Sequence, residues 1–427
     1  MSADETASKP TASPYRPAPS ERREPNVAFA VALLTFMNLF NYLDRYVLPS
    51  VLASVERELH FGYGRLGFLG SAFIIVYMLA SPIFGRLGDR YSRKYLLAVG
   101  IALWSIASAA TGMVHSYGEM LAARSAVGIG EAAYATIAPA LISDYYPPAR
   151  RGRIMAFFFA AIPVGSALGY LLGGILAGAQ GWRAAFYFTG LPGLILAALA
   201  LRIDEPVRGA FDDVQNEAPP SMRNALHTLR ASREYVWAVL GYTAATFGVG
   251  GLSFWMPTYL QTIRHVEIVK ANVMVGLLTV IGGLLGTLLG GWLGDAARGR
   301  IQHSYLFVCG WSGVATGVFA TAMFASPSVT LLYAMLFIAV LIAFLPNGPV
   351  NTLIVNSVPP TVRATASAVS IFSIHFFGDA GSPFLIGRAA TIVGLQRAVL
   401  LVPVSISVGG VLWLAGRNRV MKRKTAA

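Results

Sequence analysis

The chain is short of charge. Asp, Glu, Lys and Arg make up 12% of its 427 residues, about half of the ~25% usual in soluble domains. That shortage excludes an ordinary water-facing globule. There is a single cysteine, Cys309, set in an apolar run, so no intrachain disulfide can form. No G-x-x-x-x-G-K-[ST] run occurs, which argues against ATP-driven pumping. H-E-x-x-H and G-x-S-x-G, the spacings of zinc hydrolases and of nucleophile elbows, are missing too. The six histidines, His60, His115, His227, His265, His303 and His375, are dispersed. We therefore expect no enzyme, no metal site and no cofactor.

Apolar residues are plentiful: 55% of the chain is hydrophobic and its mean hydropathy is +0.59. They gather in runs of about 20 residues, the length of helix that crosses roughly 30 Å of hydrocarbon. Twelve runs fall near 27–55, 66–85, 95–114, 119–144, 154–178, 184–202, 234–262, 273–292, 304–324, 330–357, 364–387 and 393–416. The expected fold is an all-α polytopic membrane protein with twelve transmembrane helices. The expected divisions are a disordered tail 1–26, a six-helix bundle 27–202, a linker 203–233, a second bundle 234–416 and a basic tail 417–427. The tail 1–26 is polar and proline-rich and lacks the apolar core of a signal peptide.

The net charge is +13, which in a soluble chain would suggest nucleic acid. Its distribution argues otherwise. If the helices alternate sides, 24 of the 33 basic residues fall on the face bearing both termini. The opposite face holds only Arg57, Arg65, Arg183, Arg264, Lys270, Arg388 and Arg397, and Arg45 and Arg124 lie within helices. This positive-inside bias predicts cytoplasmic termini, which fits a bacterial inner membrane, the expected location, or a eukaryotic equivalent, with membrane lipids around the chain and the basic tail against the lipid surface.

The two halves repeat. GRLGD at 85–89 returns as GWLGD at 291–295, a shift of 206. Pro147–Pro148 with Arg151 returns as Pro359–Pro360 with Arg363, a shift of 212. Six helices per half put both copies the same way up, the parallel repeat of carriers whose halves rock about a central site.

Well inside the runs, towards mid-helix, lie the charged residues Asp44, Arg45, Arg124, Glu131 and Asp379. At about 2.5–3.5 kcal/mol each, they cost roughly 15 kcal/mol before pairing. In the first run Asn38, Asn41 and Arg45 share a stripe, with Asp44 on its flank. In the fourth, Arg124, Gly128 and Glu131 share a face that Tyr134 continues. We expect the two faces to meet and pair Asp44 or Glu131 with Arg45 or Arg124. Such a pair either only fixes helix packing or works as a proton switch, because burial and a neighbouring Arg pull a carboxylate in opposite directions. In the eleventh run His375, Gly378, Asp379 and Ser382 share a face near Pro383, a candidate cavity-facing pair. Thr243, Thr246, Phe247 and Phe254 are candidate cavity residues of the seventh run. Gly165, Gly169, Gly173 and Gly174 have the small-residue spacing of close helix packing. Pro346, Asn347, Pro349 and Asn351 make the tenth run irregular.

The loop GRLGDRYSRK at 85–94 resembles the signature loop of the major facilitator superfamily, with Ser92 where glycine is usual. The second-half copy has Ala296 in place of the first arginine. The resemblance implies a gating role for Gly85, Asp89, Arg90 and Arg93, and for Asp295 in the copy. NYLDR at 41–45, VGIGEAAYATIAP at 127–139, GWRAAFYFTGLPG at 181–193 and HFFGDAGSPFLIG at 375–387 look like the spinster branch of that superfamily. This implies the major facilitator fold of two pseudo-symmetric six-helix bundles. It also implies transport of a lysolipid or sphingolipid phosphate, often linked to protons. The resemblance implies substrate or coupling roles for Asp44, Arg45, Glu131 and His375. With the helix faces added, the coupling candidates are Asp44, Glu131, Arg45 and Arg124, and the substrate candidates are Arg45, Asn38, Asn41, Tyr134, Thr246, His375 and Asp379. Protons and an amphipathic or anionic small molecule are the expected partners, and the chain is expected to be a monomer. A small organic anion or amphipathic drug is the alternative cargo, and a non-transporting receptor the alternative class.

Overall fold

The structure is a computed structural model that describes residues 26–208, 221–298, 300–359 and 362–424. The expected tail before Asn26, Asp212, Asp213 and the Pro219–Pro220 pair of the linker, Pro360 and the last three residues lie outside them. Twelve helices are long and apolar enough to cross a membrane. They are α1 (Val27–Leu59), α2 (Tyr63–Arg90), α3 (Arg93–Thr111), α4 (Tyr117–Tyr145), α5 (Pro148–Gln180), α6 (Trp182–Ala200), α7 (Arg233–Thr262), α8 (Ile268–Ala296), α9 (Ser304–Ala325), α10 (Val329–Asn356), α11 (Thr365–Val393) and α12 (Leu395–Met421). A short amphipathic helix, Met222–Ala231, precedes α7 and packs Ala225 and Leu229 against the second half. Among the described residues there is no strand. Lipid cannot satisfy backbone N–H and C=O groups, so helices carry every crossing.

Several helices run beyond the apolar windows. The polar turns of α2, through Gly85 to Arg90, continue its hydrogen-bonded ladder past the last long apolar stretch. Two irregularities stand out. α10 breaks at Leu345–Pro346, between Val329–Phe344 and Asn347–Asn356. α11 widens into a π-helical segment, Ile374–Asp379, just before Pro383. Proline lacks the N–H that would close on the Asp379 carbonyl, which instead receives the Ser382 hydroxyl at 3.4 Å.

The repeat extends to the turns. The left-handed residue after α1 is His60 and that after α7 is His265, a shift of 205. Positive-φ glycines follow α5 at Gly181 and α11 at Gly394, a shift of 213. Two histidines in a conformation that costs most side chains about 1–2 kcal/mol mark the same reversal in each half.

Among the described residues, the halves seal against one another at the end that carries these turns. There Asn272 Nδ2 donates to the Ser50 carbonyl at 3.0 Å, Tyr170 Oη to the Ser253 carbonyl at 2.5 Å and the Phe384 N–H to Ser71 Oγ at 3.2 Å. A Cβ on Gly67 would collide with the Pro383 carbonyl, and one on Gly174 would meet Asn272 at 2.7 Å. One apolar cluster spans both halves at this end, joining Val47, Val51 and Leu69 to Trp255, Tyr259 and Ile386. Towards the end that carries the termini, the core separates into one cluster within the first half and another within the second. Among the described residues, the protein is sealed at the turn end and parted at the terminal end.

Glycine makes the seal possible. We predict that Gly67→Leu drives α2 and α11 apart. Spin labels at Gly118 and Gln396, both exposed at the sealed end, should report a longer separation, and an unchanged distance would refute this account.

Candidate functional site

Between the halves lies a cavity of about 310 Å³. Its walls are Tyr42, Arg45 and Tyr46 from α1, Phe73 and Tyr77 from α2, Arg124 from α4, Thr246 and Phe254 from α7, and His375 and Asp379 from α11. Most of the lining is apolar or aromatic, with charge at two places. That is the usual composition of a site for a partly apolar ligand.

The first charged place is on the first half. Arg45 and Glu131 pair across α1 and α4, with Nε at 3.1 Å and Nη2 at 2.7 Å from the same oxygen, Oε2. The Arg45 side chain is 23% exposed and that of Glu131 is fully buried. The guanidinium lies among three rings, 4.8 Å from Tyr42 and 5.1 Å from Phe73 and Tyr77, a cation–π setting that suits a desolvated cation. The other carboxylate oxygen, Oε1, is buried without a hydrogen bond. One oxygen of Glu131 is therefore committed to Arg45, and the other takes no hydrogen bond from the described residues.

One residue away, Asp44 points into the bundle. Its Oδ1 accepts from Ser108 on α3 and from Thr189 on α6 at 2.8 Å. Its Oδ2 lies 3.7 Å from Arg124 Nη1, too far for a hydrogen bond. Both side chains are almost wholly buried, and among the described residues Arg124 Nε and Nη1, Asp44 Oδ2, Ser105 Oγ and both amide ends of Asn41 have no hydrogen-bond partner. Buried polar groups in such numbers call for internal water. The Phe73 ring stands 5.1 Å from each guanidinium, Arg45 and Arg124, and so links the two ion pairs.

The second charged place faces these from α11. His375 Nδ1 lies 3.0 and 3.1 Å from the two oxygens of Asp379. The π segment puts both residues in the wall, and Gly250 on α7 leaves room for Asp379.

Three residues read as substrate contacts stand elsewhere. Asn38 is buried and donates to the Phe158 carbonyl of α5 at 3.0 Å. Tyr134 is fully buried and donates to the Leu34 carbonyl at 2.5 Å. Asn41 is buried between helices rather than along the wall. Protein surrounds α1 on most sides, so a polar stripe does not say which sector meets the cavity. Thr246 and Phe254 line it, whereas Thr243 and Phe247 lie against Gly378. Tyr42, Tyr46 and Tyr77 were missed, although the tyrosines flanking Asp44–Arg45 in sequence were a usable signal. Gly165, Gly169 and Gly173 seat α1, and Gly174 meets α8.

The loop after α2 forms a separate cluster at the terminal end. Gly85 and Gly88 pack on Thr136 and Ile137 of α4. Arg93 is buried, pairs with Asp144 and donates to the Gly88 carbonyl at 3.3 Å. Asp89 and Arg90 are exposed, and among the described residues Asp89 accepts from Arg208 at its backbone carbonyl. The N-terminus of α3 is met by an acid from the loop after α6, Glu205, which takes the Ser92 hydroxyl and the Lys94 N–H. Burial pulls the Glu205 carboxyl upward, but those hydrogen bonds outweigh it and hold it below its usual range. In the second half, Asp295 is exposed, with Arg298 at 3.7 Å and Tyr305 Oη at 3.1 Å.

Two predictions follow from these geometries. Arg124→Met strands the Asp44 charge and should cost about 3–5 kcal/mol, most of it recovered in Asp44→Asn/Arg124→Met; thermal unfolding in detergent checks this, and a double variant no better than the single one counts against it. Glu205→Gln should cost about 1 kcal/mol at neutral pH. A carboxylate held low stabilises above its unfolded value and loses that contribution as pH falls through its folded one. Wild type and variant should therefore converge in acid.

Comparison with known proteins agrees with this architecture. The Major Facilitator Superfamily profile matches residues 34–378. Protein spinster of Drosophila melanogaster is 34% identical over 84% of this chain, which spans 61% of that protein. The sphingosine-1-phosphate transporter SPNS2 of Danio rerio is 32% identical over 90% of this chain and 83% of its own length. Among solved structures, a bacterial homologue of the human lysosomal transporter spinster, inward-facing and unoccupied, superposes with a TM-score of 0.83. It is 22% identical and covers 94% of this chain and 99% of its own.

Proposed function

The chain belongs to the Major Facilitator Superfamily, in its spinster group, and is an integral multi-pass membrane protein; from that premise we propose that it is a secondary carrier of an anionic amphiphile, driven by protons. The relative whose name states a cargo carries a lipid phosphate, and the cavity here fits that chemistry. Its aromatic wall suits a chain and its arginines suit a head group. Residues 27–202 and 234–416 are the two rocking units, and both termini face the cytoplasm of a bacterial inner membrane. In that orientation this conformation is open inwards. Asp89, Arg90 and Asp295, exposed at the parted end, are then placed to engage the opposite half when the carrier closes inwards and opens outwards.

One observation carries the coupling: Glu131 holds Arg45 with one oxygen and keeps the other buried and unpartnered. A proton on Oε1 neutralises the acid and loosens its hold on the guanidinium. Arg45, already partly exposed to the cavity, is then free for an anionic head group. Proton and anion favour each other's binding, and by linkage the effect is reciprocal. His375 and Asp379 offer the head group a polar wall on the second half, with Thr246 beside them. Asp44 and Arg124 hold the first bundle around this switch.

The test is lysolipid movement in liposomes with and without an imposed pH gradient. Wild type should show gradient-driven movement, and Glu131→Gln should lose about tenfold or more of that component while still binding lysolipid. Full gradient dependence in the variant sinks the assignment of Glu131. An absence of lysolipid movement under every condition would remove the lipid cargo and leave a small organic anion.

A further inference from the structure

A second groove, of about 460 Å³, opens on the sealed end where α2 meets α11. It is distinct from the central cavity. Arg65 of the first half and Arg388 of the second both line it, with the rings of Phe61, Phe68, Tyr117 and Phe384. The two helices meet closely here: a Cβ on Gly64 would stand 3.9 Å from the Arg388 Cα and 3.2 Å from Thr391 Oγ1. Sealing this end therefore brings two guanidinium-bearing residues to one groove. No acidic side chain lines it, and among the described residues neither arginine has a carboxylate partner. Arg65 finds only the Tyr117 ring, at 5.4 Å.

Two like charges facing one groove oppose closure. An anion held between them reverses that effect, because it attracts both halves at once. The remaining lining says what kind of anion fits. Phe61 meets Tyr117 edge-on at 5.4 Å, and Phe68 meets Phe384 at 5.7 Å across the seam between the halves. Phe68, Phe384 and the neighbouring Leu385 are exposed on the flank of the helices. Arginines beside exposed aromatic rings at a helix end are the furniture of the membrane interface. A phosphate bidentate to guanidinium, with its acyl chains laid along those rings, satisfies both parts.

We propose that this groove binds the phosphate head group of an anionic phospholipid from the leaflet at the sealed end, and that the lipid clamps the two halves in the present conformation. Only the sealed state brings Arg65 and Arg388 together, so the ligand binds that state better and shifts the population towards it. The site involves neither Glu131 nor the central cavity, and its failure would leave the proposed transport cycle untouched.

The experiment uses the full chain with spin labels on cysteines introduced at Gly118 and Gln396; the native Cys309 is buried and does not compete. In nanodiscs, replacing part of the phosphatidylcholine by phosphatidylglycerol should raise the ratio of sealed to open populations about threefold or more. R65Q and R388Q should each abolish that response, both being exposed side chains whose loss spares the core. If the end stays sealed in every lipid, native mass spectrometry decides: phosphatidylglycerol retained by wild type should be lost from the double variant. Equal retention, or a lipid response that survives both substitutions, overturns the proposal. A shift produced as fully by inorganic phosphate in pure phosphatidylcholine also overturns it, because the occupant would then be a free anion.

Discussion

Hydrocarbon offers no hydrogen bonds, and that single constraint shapes the rest of this molecule. Backbone groups are satisfied within helices, so the chain crosses only as helix. Ionisable side chains must find partners inside the protein. Asp44, Arg45, Arg124 and Glu131 do so within one half, between α1 and α4, with Ser108 and Thr189 added from α3 and α6. A Leu at each position would cost less. The pairs are retained where helices that must stay together meet the cavity that must change.

Sealing one end of such a protein demands a different chemistry. The seal uses neutral groups, Asn272 on the Ser50 carbonyl and the Phe384 N–H on Ser71, and glycine surfaces such as Gly67 against Pro383. Neutral hydrogen bonds contribute about 1 kcal/mol net each, so a few of them hold a conformation without trapping it. Ion pairs of the buried kind would resist opening far more. The charged clusters, Arg93 with Asp144 and Glu205 on α3, lie instead within one half, where nothing has to separate. Bonds that persist through a cycle are strong and internal, whereas bonds that break are weak and shared.

Much of this was legible before any coordinates. Run length gave the crossings, because hydrocarbon thickness sets it, and the offsets of GRLGD and the Pro–Pro–Arg landmark exposed the repeat. The break near Pro346 and the irregular α11 followed from proline chemistry. Helix ends were less legible, since α2 carries its ladder through Arg90 after the hydropathy has fallen. Partners between distant helices were not legible at all. Nothing in Asp144 or Glu205 marks them as the mates of Arg93 and of α3, and Asn38, Asn41 and Tyr134 looked like wall because they are polar. A helix enclosed by protein can place polar residues on several sides, each answered by a different neighbour.

Asp44 and Arg45 show how adjacent residues acquire different work. On a helix they are about 100° apart, which turns Asp44 into the bundle and Arg45 towards the cavity. Asp44 is held by hydroxyls from α3 and α6 and by the charge of α4, so any movement would disturb four helices. Arg45 has one carboxylate oxygen and three rings, and part of it is already exposed. A cation–π cage contributes about 0.5–2 kcal/mol, less than a buried carboxylate does while it is charged. Among the contacts that Arg45 makes with the described residues, the charge of Glu131 is the largest contribution. Under the proposed coupling, the rings would keep the guanidinium in place once Glu131 is neutral, so that a head group would find it positioned. In that proposal the proton would enter at Oε1, the Glu131 oxygen that Arg45 does not hold.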